Sequence, residues 1–375
     1  MKFTKNGSFA KLVAFFLIAI ALLCTVGFAS DGWQSIVDFE PDSGENGNNK
    51  TDDAVENIDG ISPDNNGENN DDLPVADPTP KYFDYLTGLE ISQEESFTKY
   101  CCFVESTDTP LYGASSGSLL IEIPTENGKT RYLIYKRDAL QTGKIGSISE
   151  SRAYINYVAS KFDCLLFYNG IDDSFSYNIP SYKAEALDFS QTLGYSYTEY
   201  TSYVYTNGDL VNAFIKNSGA NTLKTVETTL PFNFNEEAVT LSGITAETVI
   251  IPFSDSNSSE LFYNKATNKY VLYKNGEIKH DFLYDKSLEY DNAFLLFADS
   301  VTYETADATE LVVNTFTSGK GYYICGGVAV EIEWRTEADG ELVFYLANGE
   351  KLTVNKGTSY IGYAKSSLTA QVKFS

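Results

Sequence analysis

The pattern of apolar and polar positions divides the chain into an apolar N-terminal segment, a polar stretch and two regions with regular periodicity. Residues 12–30 carry no charge and follow Lys2, Lys5 and Lys11. Basic residues followed by an apolar block and then by small residues are typical of an export signal. The pattern therefore predicts that the chain after residue 30 lies outside the cytoplasm.

Residues 1–30 are predicted to be a signal peptide or a membrane anchor. Three fates of this segment stay open: cleavage, retention in the membrane and lipidation. Cleavage after Ala29 would leave two small residues, Ala29 and Gly27, at the positions that a signal peptidase reads. Retention would make the segment an anchor, since residues 12–29 come close to the ~20 apolar residues that span a bilayer. Lipidation of Cys24 is the third, with the bulky Leu23 where such sites have Gly, Ala or Ser.

Residues 31–80 form a polar stretch whose composition predicts an acidic, disordered linker. Residues 38–80 contain 13 acidic side chains against a single lysine, Lys50, and are rich in Asn, Asp, Gly and Pro. Such a composition cannot bury enough apolar surface to offset the entropy lost on ordering. We expect this segment to tether the folded part of the chain to the membrane.

Apolar runs and helical spacings mix in residues 81–240. Strands are predicted at residues 97–104, 118–123, 131–135 and 164–168, with Asn127-Gly128 as a hairpin turn. One helix is predicted through Ile148, Ile155, Val158 and Phe162, capped by Ser147 or Ser149. A second opens within residues 206–209 and ends at Gly219. Without a regular βαβ alternation, this region predicts an N-terminal α+β domain resembling a mixed α/β sandwich.

Helical spacings disappear in residues 241–375, which we predict to be a separate, smaller and mostly antiparallel β domain. The turn at Asn275-Gly276 is expected to place Val271, Tyr273, Ile278 and His280 on one face of a hairpin, with His280 opposite Val271. Further strands are predicted at residues 249–253, 261–263, 269–274, 328–334, 342–346 and 351–354.

The charge of the chain disfavours whole classes of partner. The formal net charge is −25, and no basic run is present that would neutralise phosphates. We therefore expect no nucleic-acid partner, and contact with the membrane only through the N-terminal segment. Four cysteines after the signal do not make a disulfide framework in a chain this long. Cys102 with Cys164 is the candidate pair, and buried free thiols are the alternative.

Candidate chemistry is scarce because the chain has one histidine, His280. A catalytic triad or a Cys-His pair would have to use this residue, and the same count excludes histidine-based zinc sites. We predict no catalytic residue, metal or cofactor. The segment at residues 318–321 (SGKG) lacks the first glycine and the final Ser or Thr of a phosphate loop. Carboxylate pairs are explained as solvated surface charges; the candidates are Asp163, Asp172, Asp173, Glu185 and Asp188.

Five residues are candidate ligand contacts. Arg152 and Ser147, near the start of the first predicted helix, suit an anion, with an ion pair to a carboxylate as the alternative for Arg152. Tyr203 and Tyr205 belong to a ladder of tyrosines that either stacks on sugars or protein ligands or packs in a core. His280 is expected to be a packed, hydrogen-bonded residue or, alternatively, a base.

The order of these motifs resembles the YerB-like proteins, bacterial surface lipoproteins with an N-terminal α+β domain and a smaller C-terminal β domain. The C-terminal matches are residues 273–281, 318–334, 348–350 and 356–357, and the N-terminal entry motif matches at residues 86–89. Residues 146–152 keep only the second of two family arginines, Arg152, and Ser202-Tyr203 replace a His-Asn pair. The resemblance implies an architecture and a cellular address, and it implies no activity.

Together these patterns predict an exported, envelope-associated, non-enzymatic binding protein, either membrane-attached or secreted. Its partner would be a cell-wall component or another exported protein. The alternative is a carboxylate-dependent hydrolase that acts on envelope glycans.

Overall fold

The computed structural model describes residues 80–172, 180, 185–200, 202–224, 232–304, 309–338 and 340–375. The predictions for the signal, for Cys24 and for nearly all of the acidic linker lie outside these residues. Within the described ranges, no helix is long and apolar enough to cross a membrane.

Three α-helices are present in the described part of the chain: α1 (Gln93–Ser96), α2 (Ala153–Ser160) and α3 (Gly208–Ser218). The prediction for α3 is confirmed. The Asn207 side chain accepts a hydrogen bond from the Leu210 amide at 3.0 Å, and Gly219 ends the helix in the left-handed conformation (φ 70°).

The predicted start of α2 is wrong. Ile148 and Ser147 lie in a strand, and the helix begins only at Ala153, after Arg152 in extended conformation. Ile155, Val158 and Phe162 are buried at helical spacing as expected. Ile148 happened to continue that spacing because it is also buried, although in a strand.

Strands make up most of the described structure. In the N-terminal half they are β1 (Tyr82–Phe83), β2 (Glu90–Ile91), β3 (Tyr100–Ser106), β4 (Leu119–Pro124), β5 (Thr130–Lys136), β6 (Ile145–Ile148), β7 (Ser151–Arg152), β8 (Cys164–Tyr168), β9 (Ile171–Asp172), β10 (Glu185–Asp188), β11 (Tyr197–Glu199), β12 (Tyr203–Thr206) and β13 (Asn233–Phe234). The predicted hairpin is confirmed, because β4 pairs antiparallel with β5 across Asn127-Gly128.

The C-terminal half adds seventeen strands among the described residues. They are β14 (Ile244–Thr245), β15 (Thr248–Ser254), β16 (Asn257–Asn264), β17 (Lys269–Lys274), β18 (Glu277–Ile278), β19 (His280–Asp281), β20 (Lys286–Ser287), β21 (Glu289–Tyr290), β22 (Asn292–Ala298), β23 (Ser300–Glu304), β24 (Thr309–Val313), β25 (Ser318–Cys325), β26 (Val328–Thr336), β27 (Leu342–Leu346), β28 (Thr353–Val354), β29 (Ser359–Lys365) and β30 (Lys373–Phe374).

One fourteen-stranded sheet contains strands from both halves. Its main order is β11-β12-β6-β3-β5-β4-β29-β22-β25-β26-β14, and β8, β10 and β27 pair off this path. The halves join where β29 pairs in parallel with β4, with Tyr360 opposite Leu120. The sheet therefore runs across the predicted boundary at residue 240, and the described chain falls in one compact unit, Ala76–Ser375.

A second sheet of six strands covers one face of the large sheet. Its order is β18-β17-β16-β15-β30, with β21 on β17. Side chains from both sheets, including Leu272 and Ile251 from the small sheet and Ile134 and Leu295 from the large one, share a single core. Helix α2 packs into a second core on the other face, and α3 into a third with β3 and β8. The architecture is β-rich.

The register predicted for His280 is wrong. Ile278 does face Tyr273 across the Asn275-Gly276 turn, but Val271 pairs with Glu289 of β21. His280 belongs to β19 and pairs with Ser287 of β20. After the Asn275-Gly276 turn, only the short strand β18 (Glu277–Ile278) pairs with β17 in this hairpin. The two-residue alternation therefore does not extend to His280.

Candidate functional site

An aromatic surface lies where the edge of the large sheet meets a turn of the C-terminal half. It consists of Tyr112, Tyr197, Tyr200, Tyr203, Tyr205, His280 and Phe282, which we call the aromatic face. Tyr197 pairs with Tyr205, and Glu199 with Tyr203, between β11 and β12. Because side chains alternate along a strand, these four residues lie on one face of the hairpin.

Ring contacts connect five members of the aromatic face, and the other two, Tyr200 and Tyr203, form a pair of their own. Tyr200 lies 6.5 Å from Tyr203 between ring centroids, and Tyr205 lies 6.1 Å from Tyr197 and 5.5 Å from Tyr112. Tyr112 then contacts Phe282 at 6.0 Å. The series ends with Phe282 against His280 at 5.0 Å. Three separate chain segments, at residue 112, residues 197–205 and residues 280–282, therefore contribute to one surface.

Exposure differs along the aromatic face. Tyr200 is 79% exposed and Phe282 58% exposed, whereas Tyr205 is buried. Tyr112, Tyr203 and His280 are half-buried. The face thus has exposed rings at both ends and a buried ring that supports them.

One ion pair lies within this surface. The Lys144 ammonium is 4.0 Å from the Tyr112 ring centroid and 4.1 Å from that of Tyr205, and 2.7 Å from a Glu199 carboxylate oxygen. Burial, and then the neighbouring Tyr112 and Glu199, raise the pKa of Tyr205 to about 12. The Tyr205 hydroxyl therefore stays protonated and uncharged at physiological pH. The opposite charges of Lys144 and Glu199 balance each other.

A buried carboxylate, Asp281, holds two segments of the aromatic face together. Its oxygens accept hydrogen bonds from the Gly113 amide (2.9 Å), the Ser115 amide (2.8 Å) and the Ser115 hydroxyl (2.7 Å). They also accept from the Leu283 amide at 2.9 Å. Asp281 is fully buried. It therefore fixes the turn that carries Phe282 against the loop that carries Tyr112.

Gly146 allows the hairpin to approach Tyr112. The Tyr112 amide donates to the Gly146 carbonyl at 2.8 Å, and Gly146 pairs with Tyr205. Gly146 has a φ of 125°, and a Cβ there would lie 3.1 Å from the Tyr205 ring. Any larger residue would displace the ring that supports the surface.

The interior beneath this region contains several charged groups. Lys136 is fully buried and donates to the Gly113 carbonyl and the Ser116 hydroxyl, with Asp138 at 3.3 Å. Glu105 is also fully buried, and within the described ranges neither of its oxygens has a hydrogen-bond partner. Burial, and then Asp281, raise the pKa of Glu105 to about 8, while Lys136 and Lys279 lower it.

The structure brings together three of the five predicted ligand residues. Tyr203, Tyr205 and His280 belong to the aromatic face. Ser147 follows Gly146 in β6 and is buried at the point where the register to β12 shifts. Arg152 makes its contacts elsewhere: its guanidinium binds Glu126 at 2.8 and 3.2 Å. This is the ion pair that the sequence left as the alternative to an anion site.

The observed environment of His280 differs in part from the prediction. His280 Nε2 lies 3.0 Å from a carboxylate oxygen of Asp285, whose side chain is 98% exposed. The ring is half-buried against Phe282 rather than enclosed in a hairpin face. The tyrosine ladder also divides, because Tyr195 stacks on Phe214 of α3 at 4.6 Å and belongs to a core.

Sequence reasoning missed Tyr112, Lys144, Asp281 and Phe282 as parts of the site. Only Asp281 had a signal, as the second residue of the His-Asp motif in the family resemblance. The other three lie far apart in the chain and have no motif of their own.

Two of the nominated acids have structural roles. Asp163 lies 3.5 Å from the Lys99 ammonium, and Asp188 accepts hydrogen bonds from the Gly170 and Ser190 amides at 2.8 Å. Asp173 and the Asp172 side chain lie outside the description. In the described ranges, no three or more His, Cys, Asp or Glu side chains are placed to hold a metal ion.

The four described cysteines are buried free thiols; they are Cys101, Cys102, Cys164 and Cys325. Burial raises the pKa of Cys101 to about 12, so its thiol is protonated and unreactive at neutral pH. The structure therefore contains the second of the two predicted alternatives, and the Cys102–Cys164 disulfide is absent from the described chain.

Comparisons with known proteins bear on the fold. Residues 249–361 match the domain family described as "Protein of unknown function (DUF3048) C-terminal domain". The structure is similar to the crystal structure of YerB protein from Bacillus subtilis, with a TM-score of 0.68 and 20% sequence identity. That likeness covers 79% of this chain and 100% of the YerB chain. No curated protein matches the chain significantly.

Proposed function

We propose that this protein is an exported, envelope-associated binding protein without catalytic activity. The domain match and the shared fold support its resemblance to the YerB-like proteins. Its partner is a cell-wall component or another exported protein, and the partner binds at the aromatic face. The apolar, lysine-led N-terminus and the acidic stretch after it support export and tethering.

A single observation carries the binding proposal: exposed and half-buried aromatic side chains from three chain segments meet on one surface. The side chains of Tyr200 and Phe282 are mostly exposed to solvent. Exposed aromatic clusters that a buried network holds in place are typical of binding surfaces. Asp281 supplies that network, because its carboxylate joins the turn that carries Phe282 to the loop that carries Tyr112.

No observation favours the alternative of a glycan hydrolase. Of the nominated acids, Asp163 is committed to an ion pair and Asp188 to backbone amides. A hydrolase needs one carboxyl group to be free to protonate a leaving group.

The finer architecture is also a proposal. All three α-helices of the described chain lie before residue 240, which supports an N-terminal α+β part and a C-terminal β part. Strand β29 then joins the two parts by pairing with β4.

Capture from solubilised envelope fractions tests the binding function. The full chain in mild detergent should retain a specific component, and Phe282→Ala should reduce its recovery at least tenfold. Phe97→Ala is the matched control, because Phe97 is 56% exposed and its ring contacts Tyr82 outside the aromatic face. Failure to retain any component, or equal recovery by all three proteins, would reject the proposal.

A further inference from the structure

The chemistry of the aromatic face is that of a surface for sugars. Five of its seven members combine an accessible ring with a polar edge: Tyr112, Tyr197, Tyr200, Tyr203 and His280. A sugar ring has the complementary arrangement, an apolar face of C–H groups and an edge of hydroxyl groups. Tyrosine therefore matches it at both the ring and the hydroxyl.

The extent of the aromatic face suits a polymer rather than a single sugar. Successive ring centroids from Phe282 through Tyr112 to Tyr205 are separated by 6.0 and 5.5 Å, and Tyr200 lies 6.5 Å from Tyr203 at the other end. The two most exposed rings, Tyr200 and Phe282, stand at opposite ends of this series.

The charges on the surface favour a neutral ligand. Lys144 and Glu199 lie 2.7 Å apart and balance each other within the face. The whole chain carries a net charge of −25, which repels a polyanion. An anionic wall polymer would therefore meet long-range repulsion and find no uncompensated cation among the charges of this face.

We infer that the aromatic face binds a neutral polysaccharide strand, whose successive sugar rings stack between Tyr200 at one end and Phe282 at the other. The inference rests on the proposed function and specifies the ligand class. A neutral strand satisfies the tyrosine hydroxyls with its own hydroxyl groups while it covers the exposed rings.

Titration calorimetry of the full chain in mild detergent tests this inference. The probes are the β-1,4-linked hexamers of N-acetylglucosamine and of glucose, together with polygalacturonate as a polyanion. We expect saturable binding of at least one neutral hexamer and at least tenfold weaker binding of the polyanion. Tyr200→Ala and Phe282→Ala should each weaken the hexamer at least fivefold, while Phe97→Ala leaves it unchanged. Both substituted rings are exposed, so an unchanged melting temperature will show that the variants fold.

The outcomes separate this inference from the proposed function. If neither hexamer binds, or if both ring variants bind as the native chain does, the polysaccharide inference is wrong. Capture of a protease-sensitive envelope component that still depends on Phe282 would then leave the binding function standing with a protein partner. Loss of both the hexamer binding and the envelope capture would reject the function as well.

Discussion

Glu105 shows how a single residue can set the pH dependence of stability. It is fully buried near Lys136, Asp281 and Lys279, and burial raises its pKa to about 8 from an ordinary value near 4.5. The folded state therefore binds the proton more tightly than the unfolded state does. This contribution to stability is complete below pH 4.5 and is lost as the pH rises towards about 8.

Substitution of Glu105 by Gln should remove that pH dependence. We expect the native chain to lose about 3 kcal/mol of unfolding free energy between pH 5 and pH 8 through this group. The Glu105→Gln variant should be flatter over that range and more stable than the native chain at pH 8. Urea denaturation at both pH values measures the difference. Identical slopes for the two proteins would show that Glu105 does not hold its proton.

Asp281 is a positioning residue for the aromatic face. Asp281→Ala would leave the amides of Gly113, Ser115 and Leu283 without their acceptor, which should cost about 3 kcal/mol. Capture of the envelope component should fall with it. Asp285→Ala, a change at an exposed neighbour, is the control for stability. An Asp281→Ala variant as stable as this control would contradict the role.

At the scale of the element, the glycines of residues 318–321 follow from strand packing. They lie in β25, between β22 and β26, and not in a phosphate-binding turn. A Cβ at Gly321 would lie 2.4 Å from the Leu295 carbonyl oxygen of β22. The glycine lets the two strands approach, so the motif has a structural cause.

Gly321→Ala should therefore destabilise the protein by about 2 kcal/mol or more, since the contact is with backbone that cannot move aside. Gly143→Ala is the matched control, because a Cβ there would meet nothing within 4 Å. Chemical denaturation compares the two variants. Equal stabilities would mean that β22 and β25 can separate at little cost.

At the scale of the whole molecule, a buried ion pair joins the two halves. Glu122 of β4 and Lys274 of β17 are in contact, and Glu122 also accepts from Thr130 (2.7 Å), Ser259 (2.6 Å) and Tyr360 (2.8 Å). The carboxylate is fully buried. Each partner therefore depends on a residue from the other half of the chain.

Lys274→Met should cost about 3–5 kcal/mol, because it leaves the Glu122 charge buried without its cation. The double variant Glu122→Gln with Lys274→Met should recover at least half of that loss. Equilibrium unfolding of the single and double variants measures both effects. Additive losses in the double variant would show that the two charges act independently.

We also expect the described chain to unfold in one calorimetric transition, because β4 and β29 belong to one sheet. Two separated transitions would instead support the division at residue 240 into independently folding domains. A temperature scan of the full chain distinguishes these outcomes.

The sequence by itself determined the local elements. Strands β8, β17 and β27 have the predicted bounds, and α3 begins and ends at its predicted caps. These features depend on neighbours in the chain, such as the Asn207 side chain with the Leu210 amide. The Asn127-Gly128 turn and the apolar runs on either side of it also located β4 and β5, since turn chemistry and residue type are local properties.

Only the tertiary structure decided the pairing of the halves and the composition of the site. Tyr112, Lys144 and Phe282 are separated by tens of residues or more, and they meet because Asp281 binds the loop of Gly113 and because β6 pairs with β12. The register of His280 changed for the same reason, since the chain left its hairpin to form β19. Long-range pairings of this kind depend on which strand edges remain available once the core has formed, and no local pattern in the chain encodes that.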